Sequence, residues 1–428
     1  MKKRFIAICS VVFILSPTAA VWADVVFGNE LLYRKTEPGS DKSTMVAFSE
    51  MSGNEITGDI LRLNTLETEK EQTFIEITPI KYDQVNNFTE DLAAVRLNDK
   101  WGFIDKTGKE IIPVKYEYVI NFSEGMAGVV LDGKSGYIDK TGKDIVPFGR
   151  YDGVWMFSEG LGKAYLNEKC GFIDKTGKVI IPLKYTQVGG FNEGFSVAID
   201  GKSGFIDKTG KEITPFKYDI AFGFNEGMAS VIINGKWGSI DTTGKEVIPL
   251  KYDCLWHFSE GLAITELNFK WGLLDKTGKE IVPFMYDAMS MYGFSDGLLP
   301  VMRNGKWGCI DKTGKEIIPL KYDSVGNFYE GVSVVRFDGK ESYIDKMGRE
   351  IITIDYDYSL SFSEGMAPVG LGVISNNRFT GKMGFINKTG KEIVPCKYDE
   401  VRNFTGGLAA VCLDGKWGFI KLINQLEF

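Results

Sequence analysis

One sentence of residues recurs along the chain, and its period constrains the fold more than any other feature. The stretch Lys100 to Val119 reads KWGFIDKTGKEIIPVKYEYV, and versions of it return about ten times. The Trp-Gly pair marks the phase at Trp101-Gly102, Trp237-Gly238, Trp271-Gly272, Trp307-Gly308 and Trp417-Gly418. Degenerate copies stand at Ser135-Gly136, Cys170-Gly171, Ser203-Gly204, Glu341-Ser342 and Met383-Gly384. Trp237 and Trp271 are 34 residues apart, as are Met383 and Trp417. Self-similarity at such a period marks a repeat architecture, in which each unit buries its apolar faces against its neighbours. One step, from Glu341 to Met383, is 42 residues, with the extra residues around Gly370 to Thr380, so an enlarged loop is expected there.

A single unit reads as strands and tight turns. Leu92 to Leu97 is a first strand. Asn98-Asp99 turns it, and other repeats carry Asp132-Gly133, Asn234-Gly235, Asn304-Gly305 or Asp414-Gly415 at that place. Those pairs suit a two-residue hairpin turn, whose central residues both need positive φ. Trp101 to Asp105 is a second strand. Asp105-Lys106-Thr107-Gly108 is the next turn, with the aspartate bonding to the backbone ahead of it. Glu110 to Tyr116 is a third strand, and Pro113 places it at a sheet edge or breaks it, because proline cannot donate to a ladder. Phe122-Ser123-Glu124-Gly125 turns the chain into the next unit.

Along the second strand Trp101 and Phe103 face one way, Gly102 and Ile104 the other. Neither face carries charge, so both are expected to be covered by adjacent units. The repeat residues Trp101, Gly102, Trp237, Gly238, Trp271, Gly272, Trp307, Gly308, Trp417 and Gly418 are therefore read as structural, the tryptophans packing between repeats and the glycines letting another group approach.

The sentence Lys-Trp-Gly-Phe-Ile-Asp-Lys-Thr-Gly-Lys-Glu-Ile-Ile-Pro, with the following Lys-Tyr-Asp and Phe-Ser-Glu-Gly, resembles the WG-repeat (KWG-repeat) proteins of bacteria over Phe74 to Lys421. The resemblance implies a β-repeat interaction module and transfers no catalytic residues.

The expected fold is all-β: about ten three-stranded antiparallel units in an open, superhelical, solenoid-like array over residues 74–428. The alternative is a closed propeller-like ring. Phe74 to Tyr82 looks like a third strand without its first two, and Leu408 to Lys421 like two strands without a third, so the two ends could complete one unit. The open array is the preferred reading, since a ten-unit ring of three-stranded blades would be unusual. Residues 24–73 fit the repeat poorly and are read as an N-terminal cap, irregular around Glu37 to Ser43.

Residues 1–23 read as a secretory leader: Lys2-Lys3-Arg4, a short apolar run from Phe5 to Leu15, then Val21-Trp22-Ala23 before Asp24. Cleavage after Ala23 makes the mature chain extracytoplasmic, secreted or periplasmic. No later stretch is apolar enough to span a bilayer. The net charge of −7 argues against nucleic acid held by phosphate contacts.

Chemistry is sparse. The one histidine, His257, sits in a turn, too little for a Ser-His or Cys-His arrangement. The turn aspartates Asp105, Asp139, Asp174, Asp207, Asp241, Asp275, Asp311 and Asp345 are spread one per repeat and do not converge as a glycosidase pair must. Cys170, Cys254, Cys309, Cys396 and Cys412 are far apart, and Cys170 and Cys309 replace aromatics of other repeats, as core filler would. No enzyme, cofactor or metal is expected. The expected function is a scaffold for protein or peptide partners, or alternatively for cell-envelope glycan.

The repeats serve as an internal alignment for locating a binding surface. Four residues after the repeat tyrosine stand Asn86, Ile120, Trp155, Gly189, Phe222, Trp256, Gly326, Leu360 and Arg402, with Tyr292 nearby in a longer repeat. Asparagine, glycine and arginine there argue against deep burial. Trp155, Phe222, Trp256 and Tyr292 are thus candidates for a partner-binding stripe.

Overall fold

The computed structural model describes residues 72–375 and 378–424, together with strands Val11–Ser16, Ala19–Asp24, Leu31–Thr36 and Ser43–Phe48. Those four strands form one antiparallel sheet in chain order, in a unit separate from residues 74–422. The expected leader over 1–23 and cap over 24–73 otherwise fall outside the described residues.

Residues 74–422 are a ring of ten small antiparallel sheets, here called blades 1 to 10. Blade 1 comprises Gln84–Val85, Leu92–Leu97, Lys100–Asp105 and Glu110–Tyr116. Its last three strands are those expected from the sequence. The unexpected strand is the two-residue one directly after the Lys-Tyr-Asp turn, so blades are four-stranded, not three-stranded. Blade 4 is the exception: beyond Lys202–Asp207 its outer segment makes only the isolated bridges Ile206↔Glu212 and Ser203↔Tyr218.

The open array is overturned by blade 10. Its first three strands, Glu400–Val401, Leu408–Leu413 and Lys416–Asn424, come from the C-terminal end, and its fourth, Gln72–Glu76, from the N-terminal end. Trp417 N–H donates to Tyr82 O at 2.7 Å, and Tyr82 N–H returns to Trp417 O at 3.1 Å. This is the pairing that Trp101 makes with Tyr116 inside one repeat. Lys416 meets Asp83, and Phe419 and Ala410 share a buried cluster with Tyr82, Val85, Ala93, Val95 and Ile104 of the chain's other end. Closing the ring leaves no blade with an uncovered face, an advantage that an open array must replace with caps.

Side-chain size shows how the sheets converge. Second strands carry small residues where blades face each other: Ala93-Ala94, Ala127-Gly128, Ala409-Ala410. Third and fourth strands carry Phe103, Ile112 and Tyr116, all fully buried. Small side chains let sheets approach and large ones fill the space where they diverge. The first strands therefore line the axis and the fourth strands the rim. The two faces of one blade join different cores. Phe103 packs with Val119, Phe122 and Ala127 of blade 2, and Ile104 with Phe419 of blade 10.

The Trp-Gly pair has a specific mechanical role. Trp101 pairs with Tyr116 and Phe103 with Ile112, so Pro113, Val114 and Lys115 bulge opposite the single residue Gly102. A Cβ on Gly102 would lie 2.6 Å from Ile112 O and 2.7 Å from Val114 N. The proline thus sits on an edge strand at a bulge, as its missing N–H requires. Blade 8 lacks both partners, with Ser342 for the glycine and Thr353 for the proline, and there Ser342 pairs directly with Thr353.

The expected enlarged loop after Gly370 is instead a longer hairpin. Met366–Ser375 and Arg378–Asn387 run ten residues each, and Leu371, Val373 and Ile374 are exposed on the extension.

Candidate functional site

Two turns of each blade reach the same side of the ring: the Ser-Glu-Gly turn, between first and second strands, and the Asp-Lys-Thr-Gly turn, between third and fourth. They are wired together across blades. Glu124 and Gly125 both have positive φ (53° and 80°), so their amides point away from their own hairpin. The carboxylate of the preceding repeat takes them up. Glu90 accepts from Gly125 N–H at 3.0 Å, Glu193 from Glu226 and Gly227 N–H at 2.6 and 2.7 Å, and Glu364 from Gly406 and Gly407 N–H at 2.6 and 2.7 Å. A lysine of the next blade's Asp-Lys-Thr-Gly turn pairs with the same glutamate, as Lys140 with Glu90, Lys276 with Glu226 and Lys388 with Glu330. At the closing blade Gly406 stands where a glutamate would, and Lys106 turns to Asp91 at 2.7 Å instead. Sequence reading saw these as turn residues and missed the ladder, because its partners are about one repeat apart.

The turn aspartates act locally, as expected. Asp105 Oδ1 accepts from the Thr107 hydroxyl at 2.6 Å and from the Thr107 and Lys109 amides at 2.9 and 3.0 Å. The Thr107 hydroxyl, helped by those amides, holds the Asp105 carboxyl below its ordinary range, and threonines do the same at Asp139, Asp174, Asp241, Asp275 and Asp311. At Glu90, Glu226 and Glu330 burial pushes upward, but the paired lysine and turn amides prevail and the pKa is lowered. A carboxyl lowered on folding stabilises the native state above its unfolded pKa of about 4, and that contribution is lost as pH falls through the lowered native value. The melting temperature is therefore expected to be flat above about pH 5 and to fall steeply below about pH 4. Circular-dichroism melts across this range check it, and an unchanged melting temperature at pH 3 would refute it.

The first strands and the turns that follow them carry the candidate site: Trp155 lies on Gly153–Ser158, whereas Phe222, Trp256 and Tyr292 follow Ile220–Ala221, Cys254–Leu255 and Ala288–Met289. Trp155 in blade 3 is 47% exposed, Phe222 in blade 5 is 40% and Tyr292 in blade 7 is 86%, while Trp256 in blade 6 is half-buried. Their settings differ. Phe222 stacks on Trp237 of its own blade, centroids 5.1 Å apart and rings 13° from parallel. Trp256 and Tyr292 share a small cleft between blades 6 and 7 with His257, Met291 and Phe294. The Trp256 indole nitrogen is buried there without a hydrogen-bond partner. Trp155 lies on a separate cleft of about 380 Å³ between blades 2 and 3, with Tyr118, Ile120, Val154 and Tyr165. Gly189 and Gly190 of blade 4 separate these groups, so the stripe is discontinuous. Sequence reading missed exposed Tyr118, Met156, Ile220 and Met291, which occupy neighbouring positions of the same strands or of the turns after them.

Across the closing blade the same position is polar. Arg402 lies over the Trp417 ring at 4.7 Å and donates to Val85 O at 2.7 Å, and Asn86 donates to Asn121 at 2.9 Å. The axial surface thus has an aromatic arc over blades 2, 3 and 5 to 7, broken by the glycines of blade 4, and a polar one at blades 10 and 1.

The repeat tryptophans are all half-buried, packed against the inter-blade cores, with their glycines under the bulge. Cys170 and Cys309 are fully buried, burial pushing the Cys309 thiol up to about 12, and none of the five described cysteines is paired. Among the described residues no group of three or more His, Cys, Asp or Glu could hold a metal ion. No helix among them is long and apolar enough to cross a membrane.

The geometry defines a class: a closed ring of ten repeat blades with an aromatic axial arc. The model of the WG containing repeat matches ten times, at residues 76–101, 101–134, 136–170, 171–200, 204–237, 237–270, 271–307, 307–340, 342–372 and 383–417. The chain belongs to that family. No curated protein sequence matches it. Among solved structures, the WD40 domain of SCAP from fission yeast is 8% identical with a TM-score of 0.34, covering 83% of this chain and 98% of that one. Sqt1 of Saccharomyces cerevisiae is 12% identical with a TM-score of 0.31, covering 76% and 98%. The extracellular domain of BT4673 from B. thetaiotaomicron is 10% identical with a TM-score of 0.27, covering 98% and 75%. These likenesses are too remote to bear on function, and the fold rests on the ring's own strand pairing.

Proposed function

We propose that the ring is a non-enzymatic, extracytoplasmic scaffold that binds polypeptide partners on the aromatic arc of its axis. The observation that carries this reading is the concentration of exposed Tyr118, Trp155, Phe222 and Tyr292 on the first strands and the turns after them, where the fold itself tolerates glycine or asparagine. Large amphipathic rings give contact area at small entropic cost, which is why they anchor interfaces. The turns are committed to holding the ring: their carboxylates accept from backbone amides of their own or the neighbouring turn, and most of their lysines pair with an acidic side chain of a turn. The leader-like residues 1–23 support export.

The test compares peptide and glycan arrays probed with wild type and with the double variant Trp155→Ser, Tyr292→Ser. Tyr292 is largely exposed and Trp155 half-exposed, so the melting temperature should stay within a few degrees. Peptide binding is expected in wild type, and its loss by about tenfold or more in the variant. Binding confined to the glycan array would replace the polypeptide by envelope sugar stacked on the same rings, and peptide binding that survives the double substitution would remove the arc from the site.

A further inference from the structure

The cleft between blades 2 and 3 lies where other blades keep an indole. Ser135 pairs with Tyr151 in the register in which Trp101, Trp237, Trp271 and Trp307 pair with the tyrosines of their own blades. In those blades the indole packs against an inter-blade cluster that includes the next blade's first-strand aliphatic: Val119 for Trp101, Leu255 for Trp237, Met289 for Trp271. At blade 2 the corresponding aliphatic, Val154, joins the equivalent buried cluster and also lines the cleft, together with Ser135.

A second substitution sets how the lining packs. Gly128 occupies the place of Ala94 in blade 1 and Val197 in blade 4, and it too lines the cleft. A Cβ on Gly128 would lie 3.1 Å from Val154 Cγ2 and 3.2 Å from Ile120 Cδ1, so these two lining side chains close over the glycine; blade 4, which also has serine for tryptophan at Ser203, keeps Val197 at that place. The opening beside Ser135 measures about 380 Å³, at the lower end of what binding pockets measure. Tyr118 and Trp155 stand half-exposed on it, and Ile120, Val154 and Tyr165 complete an apolar lining. The Ser135 hydroxyl is held by Asp152 O at 3.1 Å, so it does not demand a charged ligand.

We infer that this cleft receives an indole side chain from a partner polypeptide, the ligand taking the place that the repeat's own tryptophan fills elsewhere. The inference rests on the polypeptide-binding reading above and names the residue that blade 2 and blade 3 recognise. The sister blades give the template: the same tyrosine register, the same aliphatic floor, and an indole between them.

N-acetyl-5-fluorotryptophanamide is the probe, followed by fluorine NMR with full-length protein. Wild type should bind it saturably, with Kd on the order of 1 mM, as expected for one side chain without its peptide. Ser135→Trp restores the repeat residue and should weaken binding by about tenfold or more, with a melting temperature at or above that of wild type. Ser135→Met, the residue that blade 9 carries as Met383, gives the same readout should the larger ring fail to fold. N-acetylglucosamine should not compete. Equal binding by wild type and a folded filled variant, no saturable binding by wild type, or competition by the sugar would each overturn the assignment. If peptide arrays show no binding while the probe still distinguishes wild type from Ser135→Trp, the cleft stands and the wider scaffold reading falls. If peptides bind and the probe titrations are identical, the cleft assignment alone falls.

Discussion

Deleting residues 405–428 is expected to unfold the whole ring, and so is deleting residues 1–83 from the opposite end. Each cut removes part of one blade. The first takes the second and third strands of blade 10, leaving Phe74 to Tyr82 with nothing to pair against. The second takes the fourth strand of blade 10 and, with Tyr82, the tyrosine that completes the Trp417 pairing. Two buried clusters join the chain ends: one holds Tyr82, Val85, Ala410 and Phe419, the other gathers Phe74 and Ile80 around Phe385, Tyr398, Val411 and Ile420. Exposing an apolar core side chain costs about 2 kcal/mol, so losing either cluster approaches the whole stability of a typical domain, about 5–15 kcal/mol. In an open array the same cuts would trim one unit, because contacts run only to neighbours. Chemical-denaturant unfolding of both truncations decides this: cooperative loss of structure in each supports closure, whereas retention of most of the wild-type β signal in both would restore the open array.

The ring was half legible in the sequence. The repeat period, the hairpin turns and the incomplete units at both ends are local or periodic features, and all of them appear in the structure. Asn98 and Asp99 have φ of 50° and 61°, as an Asn-Asp hairpin turn should. What periodicity could not decide was whether the half-units met each other, since that depends on small twists summed over ten sheets. The preference for an open array also weighed three-stranded blades. Gln84–Val85 and its counterparts, two residues each except Gly153–Ser158, are too short to show alternation, and the fourth strand they add was therefore invisible. The Glu ladder failed for a different reason. Glu124 reaches Gly160 through geometry that a turn motif does not encode. At the site, the variable position after the tyrosine did identify exposed rings, because a place that tolerates Gly189 and Arg402 cannot be deep core. That Trp256 and Tyr292 share one cleft while Trp155 lies on another follows from which blades adjoin, and this needed the ring.

Replacing Gly272 by valine should cost about 3 kcal/mol or more, although the site is a plain β-strand. The cause lies on the facing strand. Trp271 pairs with Tyr286 and Leu273 with Val282, so three residues including Pro283 bulge over Gly272. A Cβ there would meet Val282 O at 2.6 Å and Phe284 N at 3.1 Å, and both are backbone atoms that cannot rotate away. Overpacking of this kind forces the backbone to move, at about 1–3 kcal/mol and sometimes more. The bulge is held by Pro283, which has no N–H with which to form a regular ladder. Blade 8 is the internal control. With Ser342 and Thr353 in place of glycine and proline, the ladder runs through without that bulge. Ser342→Val should therefore cost less than about 1 kcal/mol. The coupling makes a further demand: Gly272→Val combined with Pro283→Thr should recover part of the loss, since the threonine can re-form the ladder and withdraw the bulge. Urea melts of the three variants measure it. Equal losses for Gly272→Val and Ser342→Val would show that the bulge is not what the repeat glycine accommodates.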